Sequence, residues 1–116
     1  MVIPAINCRD RESAEEQMQM LSRFASMIHI DIVDGKFTPT TTWGNPREVK
    51  EITETFAEPV KLEVHLMVED PEEAIEGWLQ AGAHRVIVHA RAIKDPQLIT
   101  ETCEYYGAKA ILSAEP

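Results

Sequence analysis

The chain is poor in cysteine and in positive charge, and it lacks both a long apolar run and a glycine-rich fingerprint. Its two cysteines, Cys8 and Cys103, lie far apart and match no zinc or redox spacing, so they read as two reduced thiols of a cytosolic protein. Lys and Arg number 11 against 20 Asp and Glu, a net charge of -9. That balance argues against nucleic acid or an anionic membrane as the main partner, since both would repel it. It leaves room for a local cationic site that holds a small phosphorylated molecule. No apolar stretch approaches the roughly 20 residues of a membrane span. The opening "MVIPAINCRDRE" meets charge at Arg9, too early for a signal-peptide core. A soluble, cytoplasmic protein is expected. No G-x-G-x-x-G follows the first apolar run, which removes the main support for dinucleotide binding.

What is present is enough for a real core: 44% hydrophobic residues and 27% charged ones over 116 positions, the size of one domain, here taken as 1–116. Short β-branched runs alternate with amphipathic helical segments. Strands are expected at 2–7, 27–32, 60–66, 85–90 and 109–113. The first helix, 12–27, carries Met18, Leu21, Phe24 and Ala25 at helical spacing, with Glu12, Glu15 and Glu16 towards its positive end. Three further helices, 46–57, 70–83 and 95–107, each open on a proline preceded by Asn45, Asp70 or Asp95 as N-cap. Gly107 ends the last of them. A polar loop, "TPTTTWGN", joins the second strand to the helix at 46.

Strands joined through helices run parallel, with right-handed crossovers. The pattern therefore fits a doubly wound sheet or part of a (β/α)8 barrel. Without a dinucleotide fingerprint the barrel is the better reading. Five strands are too few to close one, which takes about 250 residues. The expected fold is α/β: half of a TIM (β/α)8 barrel, roughly (βα)4 plus a fifth strand, with a parallel sheet.

Side chains alternate along a strand, which places Ile28, Ile30 and Ile32 on one face and His29 and Asp31 on the other. Lys61, Glu63 and His65 share a face in the third strand, opposed by Leu62, Val64 and Leu66, and His89 shares a face with Ile87 in the fourth. Three neighbouring strands thus turn polar groups towards the barrel interior near their carboxyl ends, where α/β folds bind ligands. The bland reading of Lys61 and Glu63 is an interior ion pair, and that of a lone inward histidine is a hydrogen-bonded core residue. His29, Asp31 and His65 taken together are a different case. Two imidazoles and a carboxylate on adjacent strands suit zinc or another first-row divalent ion, with coordination positions left open for substrate.

At these residues the chain resembles the ribulose-phosphate 3-epimerases. "HIDIVDGKFTP" is similar to their second-strand signature H-x-D-V-M-D-G-x-F-V-P-N, "LEVHLMVEDPE" to their L-D-V-H-L-M with its Pro-Glu helix start, and "AGAHRVIVHARA" to the segment around their fourth strand. The resemblance implies metal ligation by His29, Asp31 and His65, with Asp31 doubling as one of two acid/base carboxylates. It places Met67 at the reacting centre and Asn7 and His89 among the substrate contacts. It implies a divalent metal cofactor, zinc first, with iron, manganese or cobalt as the other candidates. The implied reaction interconverts ribulose 5-phosphate and xylulose 5-phosphate. Moving a proton at the carbon beside a ketone needs a base and a nearby cation, and inversion needs a second acid on the opposite face.

The sequence also departs from the pattern. Ala5 stands for the family's serine, Val33 for a methionine and Arg91 for a glutamate. The family's second catalytic aspartate belongs to the seventh strand, and its phosphate-gripping glycine loops follow the seventh and eighth. Neither has a counterpart here, so half of the site is expected to be missing. An open half-barrel exposes sheet edges and an inner face, and a homodimer or higher oligomer is expected, in which a partner's Asp31 would serve as the opposing acid. Two classes of function compete: a metal-assisted epimerase, and a non-catalytic half-barrel that associates and binds metal. A sugar-phosphate aldolase or decarboxylase would call for D-x-K-x-x-D where this chain has "DIVDGK", and ranks low.

Overall fold

The structure, a computed structural model, describes residues 3–36 and 41–114. Five strands alternate with four helices: β1 (Ala5–Ile6), α1 (Arg11–Leu21), β2 (Met27–Val33), α2 (Pro46–Thr53), β3 (Lys61–Met67), α3 (Pro71–Gln80), β4 (Ala83–His89), α4 (Pro96–Tyr105) and β5 (Lys109–Ser113). A single turn of 3-10 helix, Ala90–Ala92, follows β4. All five strands are parallel and stand in the sheet in chain order, β1-β2-β3-β4-β5. A doubly wound sheet would reverse direction from its first strand. Unbroken order with crossovers of one hand instead puts every helix on the same face, which is the architecture of a partial (β/α)8 barrel.

The core lies between that face and the helices. Ile28, Ile30, Ile32, Leu62, Val64, Leu66, Val86 and Val88 from the strands pack with Met18, Val49, Ile52, Ile75, Trp78, Leu79, Ile99 and Cys103 from the helices. Cys8 and Cys103 are both free and buried, and burial pushes the Cys103 thiol up. No helix among the described residues is long and apolar enough to cross a membrane.

Helix ends depart from the sequence reading in instructive ways. α1 stops at Leu21, six residues early, because Ser22 turns its hydroxyl back onto the Gln19 carbonyl at 2.7 Å and Met27 already pairs with Lys61 in the sheet. Phe24, assigned to the apolar stripe, is consequently 84% exposed. α2 also closes early, at Thr53, where the Thr53 and Thr55 hydroxyls donate to the carbonyls of Lys50 and Ile52. Asn45 and Asp95 cap α2 and α4 by accepting from Glu48 N–H and Leu98 N–H, whereas Asp70 makes no side-chain cap bond to α3. Gly107, at φ 73, ends α4 in the left-handed conformation that glycine adopts without penalty. Val2, part of the expected first strand, and residues 38–40 of the expected polar loop lie outside the described residues.

One irregularity positions the site. The register between β3 and β4 runs Leu62↔Ala83 and then Glu63↔Arg85, so His84 is skipped as a bulge. Beyond it, Val86 and Val88 point into the core, while Arg85, Ile87 and His89 fall on the opposite face beside the polar residues of β3. Re-aiming side chains is what such a bulge does.

Candidate metal centre

The face turned away from the helices carries a continuous polar chain across three strands. In register, His29 lies beside Glu63 and Asp31 beside His65. Asp31 Oδ1 is 2.8 Å from His29 Nε2 and 3.2 Å from His65 Nδ1. The far nitrogen of His29, Nδ1, is 2.6 Å from Glu63 Oε1, and the other Glu63 oxygen accepts from Arg85 Nε at 2.5 Å. The far nitrogen of His65, Nε2, lies 2.7 Å from His89 Nε2. Arg85, Glu63, His29, Asp31, His65 and His89 thus form one hydrogen-bonded row.

The electrostatics follow from that row. Burial pulls the His29 imidazole down, but hydrogen bonds with Glu63 and Asp31, and their charge, outweigh it and hold its pKa above the ordinary value. His65 is moved the other way, by burial and by the neighbouring His89, against the opposing pull of Asp31. Burial would raise Glu63, but its bonds with His29 and Arg85 win, and its carboxyl sits below the usual range. Glu63 is therefore not half of a Lys61 pair: Lys61 is exposed, and the cation comes from β4. Arg85 was not singled out from sequence, although its place two residues before Ile87 put it on the right face.

One ligand-type atom from each of His29, Asp31 and His65 lies within 4.8 Å of the other two, and all three residues are partly exposed. Two imidazole nitrogens and a carboxylate oxygen at that spacing, reachable from the open face, suit a first-row divalent ion that keeps positions free for a ligand. Of the remaining sequence candidates, His89 joins this cluster through His65 and is 4% exposed. Met67 closes β3 opposite Val33, half-buried, and Asn7 stands exposed just past β1. Ala5, in the serine position, is in register with His29. Arg91 is exposed in the 3-10 turn. Asp34 takes a different role: its two oxygens accept from Lys36 N–H at 2.8 Å and Glu69 N–H at 2.9 Å, clasping the loops after β2 and β3.

The sequence matches the ribulose-phosphate 3 epimerase family over residues 1–116. Among curated relatives, it is 39% identical over 95 residues to a ribulose-phosphate 3-epimerase of Chlamydia trachomatis serovar D, covering 79% of this chain and 38% of that protein. It is 34% identical over 119 residues to one of Chlamydia pneumoniae and 28% identical over 116 residues to one of Mycobacterium leprae, in each case covering 100% of this chain and 50% of the relative. The chain thus spans half or less of the length of these relatives. Matched from end to end, and with the second- and third-strand residues converging as described, the chain belongs to the ribulose-phosphate 3-epimerase family.

Proposed function

We propose that this chain carries the metal-binding and first acid/base half of a ribulose-phosphate 3-epimerase site. The observation that carries the reading is the convergence of His29, Asp31 and His65 within 4.8 Å on the open side of β2 and β3. These three would hold a divalent ion, zinc first, with iron, manganese or cobalt as alternatives. When bound, the ion supplies positive charge beside the substrate oxygens where negative charge grows as the proton leaves carbon 3. Asp31 takes that proton from a ketopentose phosphate. His89 and Met67 line the same face, and Asn7 contributes from the end of β1.

Epimerisation needs a second acid on the other side of the carbon. Residues of a single sheet all approach from one side, so the second acid comes from whatever faces this sheet across the lumen. A second copy of this half-barrel, treated as one domain over 1–116, would present its own Asp31 there. The competing reading, a self-associating half-barrel that binds metal without turnover, is favoured by Ala5 and Arg91 standing where the family's pattern has polar and acidic residues.

Proton NMR of ribulose 5-phosphate in deuterated buffer with zinc separates these readings. Deuterium entering at carbon 3, and lost with Asp31→Asn, makes Asp31 a working base. Xylulose 5-phosphate appearing as well requires a second acid, and sedimentation shows whether a dimer brings it. A folded, zinc-loaded chain that exchanges nothing is a binding module only.

A further inference from the structure

Glu63 and His89, at 8% and 4% exposure, are the buried polar side chains among the described residues. Burying such groups is costly unless they are hydrogen-bonded. Each is bonded to the same kind of atom: the nitrogen of a ligand-type imidazole that points away from Asp31. Glu63 meets His29 Nδ1 at 2.6 Å and His89 meets His65 Nε2 at 2.7 Å.

We infer that Glu63 and His89 are positioning residues that decide which nitrogen of each imidazole faces the ion, with Arg85 anchoring Glu63. The inference rests on the metal reading above and extends it. A carboxylate can only accept, so Glu63 holds a hydrogen on His29 Nδ1, and the Nε2 hydrogen that bonds Asp31 in the metal-free chain is the one an ion would displace to solvent. Arg85, on the second Glu63 oxygen at 2.5 Å and against Met27 Sδ at 3.4 Å, fixes the carboxylate in place. The His65 and His89 ring centroids are 4.8 Å apart with planes 24° apart, while their Nε2 atoms are only 2.7 Å apart. Those distances put the two rings edge to edge rather than face over face, so an N–H can point along the ring plane. Two nitrogens that close share one hydrogen. With an ion beside Asp31 the shared hydrogen would sit on His65 Nε2, and Nδ1, which donates to Asp31 in the metal-free chain, would turn its lone pair to the ion. The two imidazoles would then meet the ion through opposite nitrogens, the ones that face Asp31: Nε2 of His29 and Nδ1 of His65. Groups of this kind hold ligand rings in orientation and raise their basicity, and losing one costs about 10–100-fold in metal affinity.

The test is Co(II) binding to the full chain, followed by chelator competition and by proton NMR of the paramagnetically shifted, solvent-exchangeable imidazole N–H signals. The wild type is expected to show two such signals. Glu63→Ala is expected to lose the slow exchange of one and His89→Ala that of the other, each with about 10–100-fold weaker binding. Glu63→Asp is expected to recover much of the loss. Glu63→Gln, which keeps shape and an oxygen acceptor, is expected to fall between wild type and Ala, and it carries the test if Glu63→Ala does not fold by circular dichroism. Folded variants that bind within twofold of wild type and keep both signals overturn the inference and leave the metal reading standing. A folded wild type that takes up no Co(II) overturns the metal reading itself, and this inference with it.

Discussion

The two faces of β2, β3 and β4 are built from alternate residues of the same strands yet have opposite characters. Ile28, Ile30, Val64, Leu66, Val86 and Val88 on one face are 0–1% exposed and meet the helices. His29, Asp31, Glu63, His65, Arg85 and His89 on the other form a hydrogen-bonded polar row. A period of two lets one segment satisfy two demands at once, because neighbours in sequence never share a face. Buried apolar side chains are concentrated on the helix side and hydrogen-bonded polar groups on the open side. Substitutions on each side should therefore move different observables.

The largest effect expected is on the open face. Asp31→Asn should lower proton exchange at carbon 3 by about 10²–10⁴-fold, the range of a lost general base, with little change in melting temperature. A comparable fall in stability would break the division between the faces. Next, Ile28→Ala, at a fully buried position, should cost about 2–5 kcal/mol in urea unfolding while zinc affinity of the folded protein stays near wild type. A large loss of affinity would mean that the ligand geometry depends on core packing.

Charged groups on the helix side give smaller effects. Burial would raise the Glu72 carboxyl, but backbone N–H donors of Asp95 and Lys94, at 2.9 and 2.6 Å, hold it below the ordinary value. A depressed folded-state pKa contributes stability that is present above the unfolded value of about 4.3 and is lost as pH falls through the folded one. Glu72→Gln should thus cost about 1 kcal/mol at neutral pH, and the gap should close below pH 4 in pH-dependent melts. Smallest is the contrast between two sequence-identical caps. Asp95→Ala should cost about 1 kcal/mol and Asp70→Ala a few tenths, since only Asp95 accepts a cap bond.

Much of this division is legible in the sequence, and what is not has a physical cause. Parity along "MIHIDIV" and "KLEVHLM" assigns His29, Asp31 and His65 to one face, and the proline-led helices and Gly107 mark the order of elements. Register is not legible: whether Glu63 lies beside His84 or Arg85 depends on a one-residue bulge with no local signature. Parity within β3 alone sets Glu63 beside Lys61, whereas its cation is Arg85 of β4. The end of α1 was also hidden, since Ser22 is an unremarkable helix residue until its hydroxyl bonds backwards and the sheet claims Met27. Asp70 and Asp95 both precede proline and have similar backbone angles, φ -128, ψ 78 and φ -138, ψ 89, yet only the Asp95 side chain reaches a donor, a difference that residue type does not carry.

The sequential order of the strands has a kinetic side. Each strand begins 22–34 residues after the one before it and pairs with that predecessor. Every strand after β1 therefore finds its partner already made when synthesis reaches it. Loop closure over such short spans is a modest entropic cost, paid in similar increments along the chain. At 5–20 residues per second, successive strands leave the ribosome seconds apart, while local collapse takes far less time. The sheet can grow in the order of translation, with its newest edge always the one that awaits the next strand.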